Sequence, residues 1–230
     1  MTFNSIPFLI FYPIVLLGYF FARKIGGKAG KTFSWIFLLV ASYFFYMYSQ
    51  WKLVVLILFT TLVSWLCSLY IERCNHTIRD AGEGEEGLAL IKSAKRRKVY
   101  CLAITLVTSL GVLFVFKYAN FLLDSYGSIA SWISGKPVEV DALDVLLPVG
   151  ISFYTFQTLS YAIDVYRGDI ETEHHFGYYA LFVSFFPQLV AGPIERPDNL
   201  IPQLHARQKP NWENTRQGLK MMLIGFCFFV

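Results

Sequence analysis

The chain has 230 residues, of which 55% are hydrophobic, 18% aromatic and 16% charged, and its mean hydropathy is +0.48. Soluble domains sit near 45–50% apolar and about 25% charged, so this composition excludes an ordinary water-soluble globular protein. The formal net charge of +4 resides in clusters between apolar runs, which marks a topology signal and gives no reason to expect nucleic acid as a partner.

A membrane-crossing helix needs about 20 mostly apolar residues. Taken in chain order, Ile6–Ala22, Phe33–Tyr48, Leu53–Ile71 and Val99–Phe116 come close, and Leu146–Tyr166 and Phe176–Ala191 are more polar candidates. A seventh run starts near Leu219. From Met221 it holds ten residues, about 15 Å of helix against a hydrocarbon core about 30 Å thick. The expectation is therefore a single all-α membrane domain over 1–230, the N-terminal part of a longer bundle.

The flank MTFNS carries no positive charge, whereas Arg23, Lys24, Lys28 and Lys31 follow the first run. A cleaved signal peptide has the opposite order. Arg73, Arg79, Lys92, Lys95, Arg96, Arg97 and Lys98 fill the stretch 72–98, while 117–145 sets Lys117 and Lys136 against Asp124, Glu139, Asp141 and Asp144. Lys and Arg collect on the cytoplasmic side, so the N-terminus is expected outside and 72–98 inside. Within that stretch, AGEGEEG (81–87) reads as a flexible loop. KSAKRRK (92–98) reads first as a topology signal and second as a contact for anionic lipid heads. Cys67, Cys101 and Cys227 lie in apolar runs and Cys74 just past one, with no C-x-x-C and no metal-ligand spacing.

The run 146–169, LLPVGISFYTFQTLSYAIDVYRGD, is unlike the others. At 100° per residue Tyr154, Gln157, Thr158, Tyr161 and Asp164 project within an arc of about 120°, while Phe156, Leu159, Ile163 and Tyr166 lie opposite. Unpaired polar groups in hydrocarbon cost several kcal/mol each, so the stripe must face protein or a hydrated cavity. Two readings stand: hydroxyls and amides that knit helices together, or the lining of a tunnel for a polar substrate. Asp164 and Arg167, three apart, are expected to form an ion pair at the cytoplasmic boundary.

The segment SFFPQLVAGPIERPDNLIPQL (184–204) holds Pro187, Pro193, Pro197 and Pro202. Gly192–Pro193 should end any helix begun at Phe176. Irregular backbone at membrane depth must be covered by protein or water, which makes this either an interfacial loop or a broken, re-entrant wall of a cavity. Gln188, Glu195 and Arg196 would supply its polar groups. The four histidines, His76, His174, His175 and His205, stand in polar surroundings, and His174–His175 reads as a solvated turn, not a metal site.

Together, LLPVGISFYTFQTLSYAIDVYRG and FFPQLVAGPIERPDNLIPQL resemble the membrane-bound O-acyltransferase family, in its bacterial alginate O-acetyltransferase-type branch. FNSIPFLIFYPIVLLGYF, LLVASYFFYMY and LFVFKYANFLLDS fit the same branch. The resemblance implies a polytopic inner-membrane protein that moves an acyl group, acetyl in this branch, from a thioester donor to an extracytoplasmic polysaccharide. It also implies a separate extracytoplasmic partner protein and no bound cofactor. Tyr154, Gln157, Thr158, Tyr161, Gln188, Glu195 and Arg196 would line the tunnel. The family's signature histidine sits beside Trp in an apolar helix of the second half. No position here matches it, so it is expected beyond Val230. D-alanyl or peptidoglycan O-acyl transfer, a transporter and a non-catalytic membrane subunit are the alternative functions.

Overall fold

The computed structural model describes residues 5–24, 27–82, 84–134, 148, 150–189, 192, 195–206 and 211–229. Among the described residues the secondary structure is all helical: α1 Ile6–Lys24, α2 Gly27–Gln50, α3 Val54–Asp80, α4 Glu85–Ser134, α5 Ile151–Arg167, α6 Phe176–Ser184, α7 Phe186–Leu189, α8 Pro197–His205 and α9 Trp212–Phe229, with a 3₁₀ turn at Trp51–Leu53. Helices α1 to α4 are long and apolar enough to cross a membrane. The chain is a multi-pass membrane protein.

These four helices overrun the apolar stretches that reveal them. The run Val99–Phe116 is the middle of a 50-residue helix, about 75 Å long at 1.5 Å per residue. The acidic glycine-rich patch is only half a loop, because Glu85 and Glu86 already form the first turn of α4, where carboxylates complement the positive end of the helix dipole. Much of each long helix faces outward. Ile14, Leu17, Phe21, Val55, Leu62, Val107, Phe114 and Phe121 are exposed large apolar side chains, as lipid-facing residues should be.

The core sits where α5 and α6 wedge against α2 and α3. Tyr154, Tyr161, Tyr179, Leu181, Phe182 and Val183 are fully buried there with Ile57 and Ile71 of α3. The close approach is set partly by Gly150, which caps α5 at φ +74°; a Cβ there would lie 2.3 Å from the Leu189 carbonyl oxygen. Helix α3 meets the core with a row of small polar residues, Thr60, Thr61, Ser64 and Ser68, all buried. Small residues let membrane helices approach closely and hydrogen-bond across the contact.

The run expected as one helix from Phe176 to Ala191 is two. It stops at Ser184, earlier than Gly192–Pro193 would require, and resumes at Phe186. The cause is Pro187, whose ring nitrogen has no proton for the Val183 carbonyl and whose ring crowds it. Gly192 donates its N–H to Gln188 at 3.1 Å. Leu146, Ala191, Pro193, the acidic stretch 135–147 and Val230 lie outside the described residues.

Candidate functional site

The break between α6 and α7 leaves a carbonyl that the helix would have used. In an unbroken helix the N–H of Phe186 would reach the Phe182 oxygen; instead it points to Ser42 Oγ of α2 at 3.4 Å. The last carbonyls of any helix lack intrahelical partners. Two buried amides supply them here: Gln157 Nε2 donates to the Phe182 oxygen at 2.9 Å and Gln188 Nε2 donates to the same oxygen at 3.2 Å. The structure thus brings together two of the polar residues singled out in the sequence, and joins them through backbone.

The rest of the α5 stripe divides into engaged and unengaged hydroxyls. Thr158 Oγ1 donates to the Thr155 carbonyl at 2.8 Å. Tyr161 Oη accepts the Glu173 N–H at 2.7 Å. By contrast Thr155 Oγ1 is buried without a hydrogen-bond partner among the described residues, while Tyr154 Oη interacts with Tyr46 Oη of α2, and Tyr43 Oη with Ser184, without regular hydrogen-bond geometry. Tyr46 and Tyr154 belong to one core cluster. Buried polar atoms are normally paired with protein or ordered water, and the α2–α5 seam gathers several such hydroxyls.

Glu195 and Arg196 do not join the glutamines. Glu195 Oε2 accepts from Asn199 Nδ2 at 2.8 Å, and Arg196, exposed, precedes the first turn of α8. The expected Asp164–Arg167 ion pair is also absent: among the described residues the ion pairs within 4.0 Å are His174–Glu72 and His205–Glu173. Arg167 is exposed in the last turn of α5, next to the Gly168 cap. The Asp164 carboxylate has a second cation, Arg196, and two carboxylates, Asp169 and Asp198, acting on it, so no single partner claims it.

A second constellation lies at the far end of α5. Glu72, mostly buried, accepts the Thr172 N–H through Oε1 at 2.9 Å, and its Oε2 is 3.3 Å from His174 Nε2. Glu173 accepts Trp65 Nε1–H on its carbonyl at 2.8 Å and the His175 N–H on Oε1 at 2.8 Å. Its Oε2 is 2.6 Å from His205 Nε2. His205 in turn stacks on Tyr178, ring centroids 3.9 Å apart. The turn 170–175 is therefore stitched to α3, α5 and α8. His175 is no free solvated side chain: its Nδ1 accepts the Gly177 N–H, capping α6, and its ring meets Trp35 edge-on at 4.9 Å. Sequence reading missed Glu72, Trp65 and Glu173. The usable signal was the four-residue spacing of Thr60, Ser64, Ser68 and Glu72, one ridge of a helix. Among the described residues no three His, Cys, Asp or Glu side chains are placed to hold a metal ion.

Nearby, Lys98 of α4 donates to Asn75 Oδ1 at 2.7 Å and sits over the Tyr166 ring at 4.3 Å, while Asn75 Nδ2 donates to the Val165 carbonyl at 2.9 Å. One end of α3, α4 and α5 is thus clasped by polar contacts.

These packed polar helices have curated relatives. The chain is 35% identical over 209 residues to "Probable alginate O-acetylase AlgI" of Pseudomonas aeruginosa, a match that takes in 90% of this chain and 35% of the relative. The protein of the same name from Azotobacter vinelandii is also 35% identical, over 90% of this chain and 36% of the relative. This chain is a homologue of the alginate O-acetylases of the membrane-bound O-acyltransferase family. It is also 28% identical to a peptidoglycan O-acetyltransferase of Helicobacter pylori, over 98% of this chain and 43% of the relative. The chain spans about a third of the length of the alginate O-acetylases it matches. No family model and no solved structure matches it.

Proposed function

We propose that these helices belong to a membrane O-acyltransferase that passes an acyl group, acetyl by homology, from a thioester donor to an extracytoplasmic polysaccharide. The carrying observation is the match to alginate O-acetylases over 90% of the chain. The buried hydroxyl of Thr155, without a partner among the described residues, and the adjoining Tyr46 and Tyr154 hydroxyls support a polar path on the α2–α5 seam, and Gln157, Gln188, Thr158 and Tyr161 hold its wall. Residues 1–230 act as one membrane domain in the bacterial inner membrane, with the N-terminus outside. The α6–α8 segment is a re-entrant hairpin: its two ends meet in the Glu173–His205 contact. On this reading the thioester donor approaches from the cytoplasmic end, where Glu72 and Glu173 lie, and a separate extracytoplasmic protein completes delivery.

An alginate-like uronate polymer is the first acceptor to test. Peptidoglycan is the second, because the Helicobacter pylori relative aligns with 98% of this chain. The full-length gene would be expressed, with the extracytoplasmic partner, in a bacterial host lacking its own O-acetyltransferases, and O-acetyl ester measured on both glycans. Ester on either glycan above the empty-vector level supports the reading; none on either sinks it. Tyr154→Phe separates site from scaffold. Removing a buried hydroxyl whose described contact is Tyr46 should cost no more than about 1.5 kcal/mol of stability, while ester formation should fall about tenfold or more if that hydroxyl holds substrate or water. Topology is checked by single cysteines on a Cys-free background: positions in 72–82 should resist a membrane-impermeant thiol reagent in intact cells, and a cysteine at Asp141 should react.

A further inference from the structure

Away from the hydroxyl seam, a cavity of about 270 Å³ opens between α1, α2, α7 and α8. Its walls include Tyr12, Leu16 and Tyr19 of α1, Leu38 of α2, and Leu200 and Leu204 of α8. Its lining is mostly apolar, with the Gln203 amide at one side, and such a space takes up apolar matter; a smaller enclosed one, about 150 Å³ and lined by Leu, Ile and Phe, binds benzene. On a helix that crosses the bilayer the available apolar matter is an acyl chain.

A buried cation lies one helical turn past the lining residue Tyr19. Arg23 has its guanidinium carbon 5.2 Å from the Tyr19 ring centroid, leaning back along the helix as α-helical side chains do. Arg23 is only 9% exposed, and its Nε has no hydrogen-bond partner among the described residues. No described carboxylate lies within 4.0 Å of it. A buried cation without an anion is costly. Lys24 follows in the same turn, and Lys31 Nζ stands 6.0 Å from the Tyr178 ring, on whose hydroxyl Arg23 also acts. Cation, orphan N–H and apolar slot lie in line along α1.

We infer that this is a lipid site: an anionic phospholipid seats its phosphate on Arg23 and lays one acyl chain between α1 and α8. The charge complementarity selects an anionic headgroup, because among the described residues no carboxylate lies within 4.0 Å of these cations. The inference does not depend on acyl transfer. It would survive failure of the enzymatic reading, and its own failure would leave that reading intact.

The chain would be reconstituted in nanodiscs of equal parts phosphatidylglycerol and phosphatidylcholine, extracted, and its retained lipid read by native mass spectrometry. Phosphatidylglycerol should be enriched about tenfold, the scale of hydrogen bonds to a charged group. Arg23→Gln should bring that ratio near parity. Leu16→Trp, which fills the slot, should reduce retained lipid of either headgroup. Phosphatidylglycerol bearing a photoactivatable tail should cross-link the wild-type protein within 12–19 or 200–204, a readout that needs no variant to fold. Equal retention of the two lipids overturns the site, as do cross-links elsewhere. Absence of retained lipid, with another polypeptide segment filling the slot, overturns it too.

Discussion

Helices α4 and α6 represent two ways of living in a membrane. Helix α4 has 50 residues, and only 17% of its most apolar stretch is buried by protein. Helix α6 has nine residues, and every one from Gly177 to Ser184 is buried. The first packs along α3 and α5 on one side and turns most of its apolar stretch outward, its backbone groups satisfied within the helix. The second is too short for that. It is held by neighbours: Ser64 of α3 on the Tyr179 hydroxyl at 2.7 Å, Gln157 of α5 on the Phe182 carbonyl, and the His175 cap. Greasy length therefore identifies the outer helices, whereas the inner ones are short, broken and paired through polar groups.

The sharpest way to break this contrast is at Gly150. A valine there meets both a left-handed backbone, about 1–3 kcal/mol, and a clash with the Leu189 carbonyl comparable to overpacking, about 1–3 kcal/mol more. Gly150→Val should abolish monodisperse protein on size exclusion in detergent, and an unchanged profile would mean that α5 and α7 do not meet as described.

Gln157→Leu should come next. It removes the shorter of the two hydrogen bonds to Phe182 and should cost about 1–3 kcal/mol, read as a lowered thermal midpoint in detergent. Leu159→Ile, on the same helix and also buried, conserves volume and should cost less than about 1.5 kcal/mol. Equal shifts for the two would remove the distinction between polar pairing and simple packing in α5.

Smaller still is the Ser64–Tyr179 contact. A double-mutant cycle with Ser64→Ala and Tyr179→Phe should give a coupling near 0.6 kcal/mol and below about 1.7 kcal/mol. Zero coupling would assign α3–α6 association to close packing alone. At the bottom of the scale, Phe114→Leu on the exposed face of α4 should move stability by no more than about 0.5 kcal/mol. A large loss there would show that another protein surface covers that face.

One functional prediction follows the same division. His76, His174 and His175 are exposed and His205 is half-buried against Glu173, so none is held in an apolar helix next to a buried hydroxyl. Expression of residues 1–230 alone should yield no O-acetyl ester on extracellular glycan. General base catalysis contributes about 10²–10⁴ in rate, and ester formation by this stretch alone would place the base among the residues described above.

Legibility tracked the same boundary. The cores of α1 to α4 were readable as apolar runs, because a lipid-facing helix must be apolar along its length. Their ends were not, since Glu72–Asp80 and Glu85–Lys98 continue as helix after the greasy signal stops. The buried face of α5 was visible as a polar stripe, and the structure buries Tyr154, Gln157, Thr158 and Tyr161. Which partner each would find was hidden. Gln157 needed Pro187, thirty residues on, to free a carbonyl for it. The Asp164–Arg167 pair was a local guess from spacing, and spacing says nothing about the competing charges of Arg196 and Asp198.

The sequence by itself determined that this protein crosses the membrane several times, which helix carries the polar groups, and that the run from Phe176 could not continue as one helix through its prolines. These follow from composition, period and covalent geometry, all local properties. The tertiary structure alone decided that Gln157 and Gln188 share one carbonyl, that Glu72 and Glu173 anchor the 170–175 turn, and that Arg23 is buried one helical turn past the lining of an apolar slot. Each of these depends on residues far apart in the chain, and a hydrogen bond is set by where its two ends meet in space.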